Sequence, residues 1–132
     1  MCGFFCIVGK ISKNFDKNKF VKSSKLISQR GPDDFQTLYS NKFALSFYRL
    51  SLRDLSNNGR QPMRSLCGRY IICFNGEIYN SEEIKKKYLS NHKFKGTSDT
   101  EVLLEGFALK GEKIIDELEG MFAIFIYDLR KN

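Results

Sequence analysis

The run MFAIFIYDL, Met121 to Leu129, is apolar at nearly every position. That is the pattern of a strand covered on both faces, and it asks for an interior place in a sheet. RYIICFNGEIYN, from Arg69 to Asn80, reads as a second mostly apolar strand that runs straight into Asn75-Gly76. In KFALSFYRLSL, Phe43, Leu45 and Phe47 alternate along one face, as a strand packed on a core requires. Residues 3–9 and FQTLY supply shorter strands.

Between them lie helical patterns. KNKFVKSSKLISQ spaces Phe20, Val21, Leu26 and Ile27 for one buried face and stops before RGPDD. There Gly31 and Pro32 break the helix, and Asp33 can hydrogen-bond the backbone. Asn80 with Glu83 predicts the cap of a helix through Tyr88, and Ser98 with Glu101 predicts a capping box for a helix that Gly111 stops. EKIIDEL reads as a shorter helix and DLSNNGRQPM as a polar loop. No linker, internal repeat or low-complexity segment interrupts this order, so the expectation is a single α+β domain.

Length and composition narrow the function classes. The 132 residues suffice for one core, and 42% hydrophobic with 14% aromatic content fits a packed protein. The formal charge of +7 raises nucleic-acid binding as a rival. The lysines are dispersed, however, and Lys85-Lys86-Lys87 follows Glu82-Glu83 as a solvated helix face would. No apolar stretch approaches the ~20 residues of a membrane span, and no export signal opens the chain. The expectation is a cytoplasmic protein that binds neither membrane nor nucleic acid. Of the four cysteines, no pair has CxxC spacing, and His92 is far from all of them. No metal site is expected, and Cys6, Cys67 and Cys73 read as small buried hydrophobes.

Cys2 is different. If Met1 is removed, it carries a thiol and a free α-amine. One residue then supplies a nucleophile and its own general base. Asn75-Gly76 offers a side-chain amide donor and an accessible backbone N–H, the parts of an oxyanion hole. Asp99 opens a helix, and Arg49 closes an otherwise apolar strand, a place where a guanidinium needs a partner. Each of these has an ordinary structural explanation when taken alone.

Their order is more specific. MCG, RGPD (Arg30 to Asp33), RLSLRD (Arg49 to Asp54), QPM (Gln61 to Met63), NGEIYN (Asn75 to Asn80), SDTE (Ser98 to Glu101) and LEGMFAIFIYD (Leu118 to Asp128) occur in one register. Together they resemble the class II glutamine amidotransferase domain of asparagine synthetases, from the first residue almost to the last. The resemblance implies an N-terminal-nucleophile hydrolase fold, two antiparallel sheets between helical layers. It also implies that Cys2 attacks the amide of L-glutamine to form a thioester and that Asn75 and Gly76 cradle the oxyanion. Arg49 would hold the substrate carboxylate, with Leu50, Ser51, Leu52 and Arg53 as the adjacent wall. Asp99, helped by Glu77, would take the ammonium.

Members of that family continue into further glutaminase strands and a synthetase domain. The expectation is therefore that residues 1–132 form an amidotransferase domain incomplete at its C-terminus, with no cofactor of its own. ATP and magnesium would belong to the synthetase domain normally fused downstream, and a homodimer to the full-length enzyme. Without the later strands, the final apolar strand should expose an edge and leave the chain poorly stable, prone to association and weakly active or inactive. An amidotransferase of surface-polysaccharide synthesis and an inactive, binding-only remnant are the alternative readings.

Overall fold

The computed structural model describes residues 1–52 and 54–131. Two antiparallel sheets of three strands each organise these residues. The first holds β1 (Gly3–Val8), β2 (Asp34–Tyr39) and β3 (Phe43–Arg49), with β3 central. The second holds β4 (Met63–Arg64), β5 (Tyr70–Ile78) and β6 (Gly120–Asp128), with β5 central. The helices are α1 (Lys17–Ser24), α2 (Ser81–Tyr88) and α3 (Asp99–Lys110), joined by 3₁₀ turns at Lys25–Arg30, Asn57–Gly59 and Gly111–Glu117.

Side-chain alternation along β3 and β5 builds the layers. Phe43, Leu45 and Phe47 of β3 pack with Ile71 and Cys73 of β5, with Phe125 and Tyr127 of β6 alongside, so one core lies between the sheets. The opposite face of β5 gives Tyr70, Ile72, Phe74 and Ile78 to a second core with Ile84, Leu103, Leu104 and Ile114. On the outer side of the first sheet, Phe20 of α1 meets Phe5 and Tyr39, and the Tyr48 hydroxyl lies 3.2 Å from Ser24 Oγ. The order is helix, sheet, sheet, helix, as the resemblance implies for its fold.

Several local expectations need correction. The first helix turns to 3₁₀ after Ser24, and Leu26 is 80% exposed rather than part of a buried face. Asn80 stands at the N-cap of α2 without a side-chain capping bond. Its amide instead clamps the later chain, donating to Glu117 O and accepting from Glu119 N. At Ser98 only half of the capping box forms: Oγ accepts the Glu101 N–H, while the Glu101 carboxylate takes the Lys95 and Gly96 N–H groups. Cys73 is buried, but Cys6 is half-buried and Cys67 exposed. The last strand, by contrast, shows the exposed edge expected of it in β6. It pairs only with β5 among the described residues, its first residues are exposed, and Met121 is 69% accessible.

Arg69 and Asp128 tie the ends of β5 and β6, with Nε and Nη2 both donating to the carboxylate at 2.6–3.0 Å. These bonds from Arg69, against the penalty of burial, hold the Asp128 carboxyl down at about 2. A lowered folded-state pKa stabilises the fold above the unfolded carboxylate value and loses that contribution as pH falls through the folded value. The difference in melting temperature between wild type and Asp128→Asn should therefore be full above about pH 5 and close between about pH 4 and 2. A difference independent of pH in that window would contradict the charge-assisted account.

Candidate active site

Where β1 begins, β3 ends and β5 passes its midpoint, a cavity of about 170 Å³ opens. Cys2, Arg49, Leu50, Ser51 and Leu52 line one side, and Asn75, Gly76 and Glu77 line another. Asp99 closes it from the start of α3, and Met1 lies at the wall beside Cys2. Every sequence-derived site residue is thus gathered here except Arg53, which lies outside the described residues.

The open edge of β5 explains how the backbone reaches the cavity. In an antiparallel ladder, N–H and C=O groups of alternate residues face the same edge. Tyr79 N–H, at an odd position, bonds toward β6 at Glu119 O. The even positions face the other way. Ile72 sits opposite Met63 of β4, and Phe74 N–H donates to the Gln61 side-chain oxygen at 2.6 Å. Ile78 N–H donates to Asp99 Oδ2 at 3.0 Å. Between those two rungs Gly76 opens on the cavity. Its φ is +151°, and an added Cβ would lie 2.1 Å from Met121 O, so only glycine fits where β6 runs this close. Asn75, between the even rungs, takes the same side-chain parity as Ile71 and Cys73, toward the sheet that carries Cys2.

Cys2 Sγ is held against the chain leaving β3. Leu50 N–H donates toward the sulfur at 3.4 Å, and the thiol faces Leu50 O at 3.6 Å. The RGPD segment clamps the same two strands. Arg30 Nε donates to Cys2 O at 3.0 Å, and Asp33 accepts the Ser51 N–H at 2.7 Å. Asp33 N–H adds a bond to Arg49 O at 2.9 Å. Gly31 permits this approach, since a Cβ there would fall 2.3 Å from the Tyr48 carbonyl. The expected backbone bond of Asp33 is therefore present, and its partner is the wall of the cavity.

Arg49 is 7% exposed, and its Nη1 donates to Ser56 O at 3.0 Å while Nη2 donates to Asp54 O. These bonds use two of the five N–H donors a guanidinium carries and fix the plane of the fork. Asp54, also buried, accepts from Ser56 N–H and Oγ and from Thr97 N–H. Burial works to raise its pKa, but the Ser56 hydroxyl, the Thr97 and Ser56 N–H groups and the Arg49 charge outweigh it and hold it below the usual carboxylate range. Asp54 thereby joins the Arg49 side of the cavity to the segment leading into Asp99. Asp54 and Gln61 were missed as site residues because each stands in a polar loop. The signal was their membership of RLSLRD and QPM.

Cationic Arg49 and anionic Asp99 face one cavity, with a thiol and an outward backbone N–H between them. That arrangement can hold a small zwitterion and present its side chain to a nucleophile. Among the described residues no three His, Cys, Asp or Glu side chains cluster as a metal site, and no helix is long and apolar enough to cross a membrane.

The comparisons agree in one direction. A family model described as a glutamine amidotransferase domain matches residues 1–132. Asparagine synthetase [glutamine-hydrolyzing] 2 of Bacillus subtilis (strain 168) is 46% identical over 106 residues, covering 80% of this chain and 14% of its own length. Asparagine synthetase B of Escherichia coli (strain K12) is 35% identical, covering 88% of this chain and 21% of its own. The asparagine synthetase of Brassica oleracea is 34% identical over all of this chain and 22% of itself. The chain spans only about a fifth of the length of such relatives or less. Matched along its full extent by sequence and built on two antiparallel sheets flanked by helices, the chain belongs to the glutamine amidotransferase domain family.

Proposed function

We propose that this chain hydrolyses L-glutamine to L-glutamate and ammonia, with Cys2 as nucleophile. The observation that carries the reading is the gathering of Cys2, Asn75-Gly76, Arg49 and Asp99 around one cavity. Removal of Met1 comes first. It frees the Cys2 α-amine and clears a side chain that itself lines the cavity. Arg49 takes the substrate α-carboxylate against the wall of residues 50–52. Asp99, with Glu77, takes the α-ammonium, which leaves the side-chain amide directed at Cys2.

The sulfur then bonds to the amide carbon while its proton passes, through a water, to the α-amine. Negative charge collects on the former carbonyl oxygen, where the Asn75 amide and the Gly76 N–H donate to it. Collapse breaks the C–N bond, the amine returns the proton to the departing nitrogen, and ammonia leaves behind a thioester. Water adds to the thioester carbon and gives its proton to the same amine. The C–S bond breaks, and glutamate and the thiol are restored. Nucleophile, base and oxyanion donors are all protein groups, so this chain needs no cofactor for the step. Residues 1–132 belong to the glutaminase unit in this reading. The ammonia passes to a synthetase unit for asparagine formation, as the names of the relatives suggest, and ATP and magnesium would belong to that unit.

Two sets of variants test these roles. Active protein should lack Met1 by intact mass, and Cys2→Ala should abolish hydrolysis while still binding glutamine by calorimetry. Full turnover by protein that retains Met1 would contradict the amine as base.

Binding and chemistry should also separate. Arg49→Ala and Asp99→Asn remove contacts made equally in ground and transition states, so steady-state kinetics should show a raised KM with kcat nearly kept. Asn75→Ala removes an oxyanion donor and should lower kcat by roughly 10²–10³-fold with KM little changed. A change in KM alone for Asn75→Ala would refute its assignment.

A further inference from the structure

Resting on the glutaminase reading, we propose that Gln61 is a positioning residue for the oxyanion donors. Its carboxamide stands in for a missing strand on the open edge of β5. Pairing between β4 and β5 ends at Met63 and Ile72. The next outward rung, Phe74, is buried and would have an N–H and a C=O with no strand to meet them. Gln61, 6% exposed, supplies both halves of that rung: Oε1 accepts the Phe74 N–H at 2.6 Å, and Nε2 donates to Phe74 O at 3.2 Å. An amide offers an acceptor and a donor side by side in this way at any pH, where a carboxyl does so only when protonated.

The second Nε2 bond reaches Thr100 Oγ1 at 3.3 Å, in the first turn of α3. One residue earlier, Asp99 takes the Ile78 N–H, the rung on the far side of Gly76. The rungs at 74 and 78 are therefore both anchored, through side chains, to the start of α3. They bracket the peptide that carries the Gly76 N–H and the Asn75 side chain. A lost anchor at rung 74 frees the backbone immediately before both donors, while Arg49 and the wall at Leu50 to Leu52 keep their own bonds. The effect belongs to transition-state stabilisation rather than to substrate binding.

Gln61→Met and Gln61→Glu, made in the full chain, test this by kinetics, by melting temperature and by the ¹⁵N resonances of Gly76 N–H and the Asn75 side-chain amide without substrate. Gln61→Met should lower kcat by about tenfold to a hundredfold, less than deletion of a donor, and keep KM within about threefold. In Gln61→Glu the ratio of variant to wild-type kcat should rise as pH falls. The introduced carboxyl, raised by burial, then protonates and regains a donor for Phe74 O. The Gly76 and Asn75 resonances should shift in both variants while that of Gly9, at the far end of β1, stays in place.

A lowered melting temperature with kcat and these resonances unchanged would overturn the proposal and leave Gln61 a purely structural residue. If Gln61→Met does not fold, the pH trend and resonances of Gln61→Glu decide alone, and a flat trend with unmoved resonances overturns it. If wild-type protein binds but never hydrolyses glutamine, the functional reading fails, while the resonances still judge whether Gln61 sets the Gly76 rung.

Discussion

The outer backbone edge of β5 is the constraint on which the site depends. A central strand must satisfy its peptide groups on both sides, and β6 does this for one side along the whole of β5. On the other side the solution is piecemeal. A two-residue strand serves one stretch, the amide of Gln61 the next rung, and the Asp99 carboxylate the last. The Gly76 rung between them opens on the cavity. In the proposed reaction, an N–H held by a rigid sheet yet facing open space would be oriented for an anionic oxygen and need little reorganisation when charge forms.

Packing decides why Cys2 meets that edge. The core between the sheets is built from β3 and β5, with β1 beside β3 in register from Gly3 opposite Tyr48 to Val8 opposite Phe43. Cys2 therefore arrives where β3 ends, one residue before the strand begins. The same core treats two cysteines differently. Cys73 is fully buried in it, and burial raises its thiol far above the usual range, leaving it inert as a nucleophile. Cys2 packs only at the margin and has Leu50 for its polar contacts. Arg30 and Asp33 then fix both sides of this junction from one turn.

Much of the fold was legible because apolar runs report burial directly. β3, β5 and the α3 segment from Ser98 to Gly111 follow their sequence patterns closely. Where the reading failed, a distant partner had overruled a local pattern. Asn80 has the right type for a cap but bonds the chain at Glu117 and Glu119, which no window around residue 80 contains. For the site, Cys2, Asn75 and Asp99 stood out in the sequence, and all three line one cavity. Gln61 and Asp54 did not stand out, because a polar residue in a polar loop looks the same whether it faces water or completes a buried ladder.

The central claim is that the Cys2 sulfur and the Gly76 rung act on one carbonyl. The most direct measurement is a crystal structure of the protein after reaction with a glutamine-shaped diazoketone. This reagent loses N₂ and leaves a ketone on the attacking nucleophile. The expected product is a single adduct on Cys2 Sγ, with its carbonyl oxygen within about 3 Å of the Gly76 N–H and its α-carboxylate at Arg49. An adduct on another cysteine, or one on Cys2 whose oxygen turns away from Gly76, would contradict it.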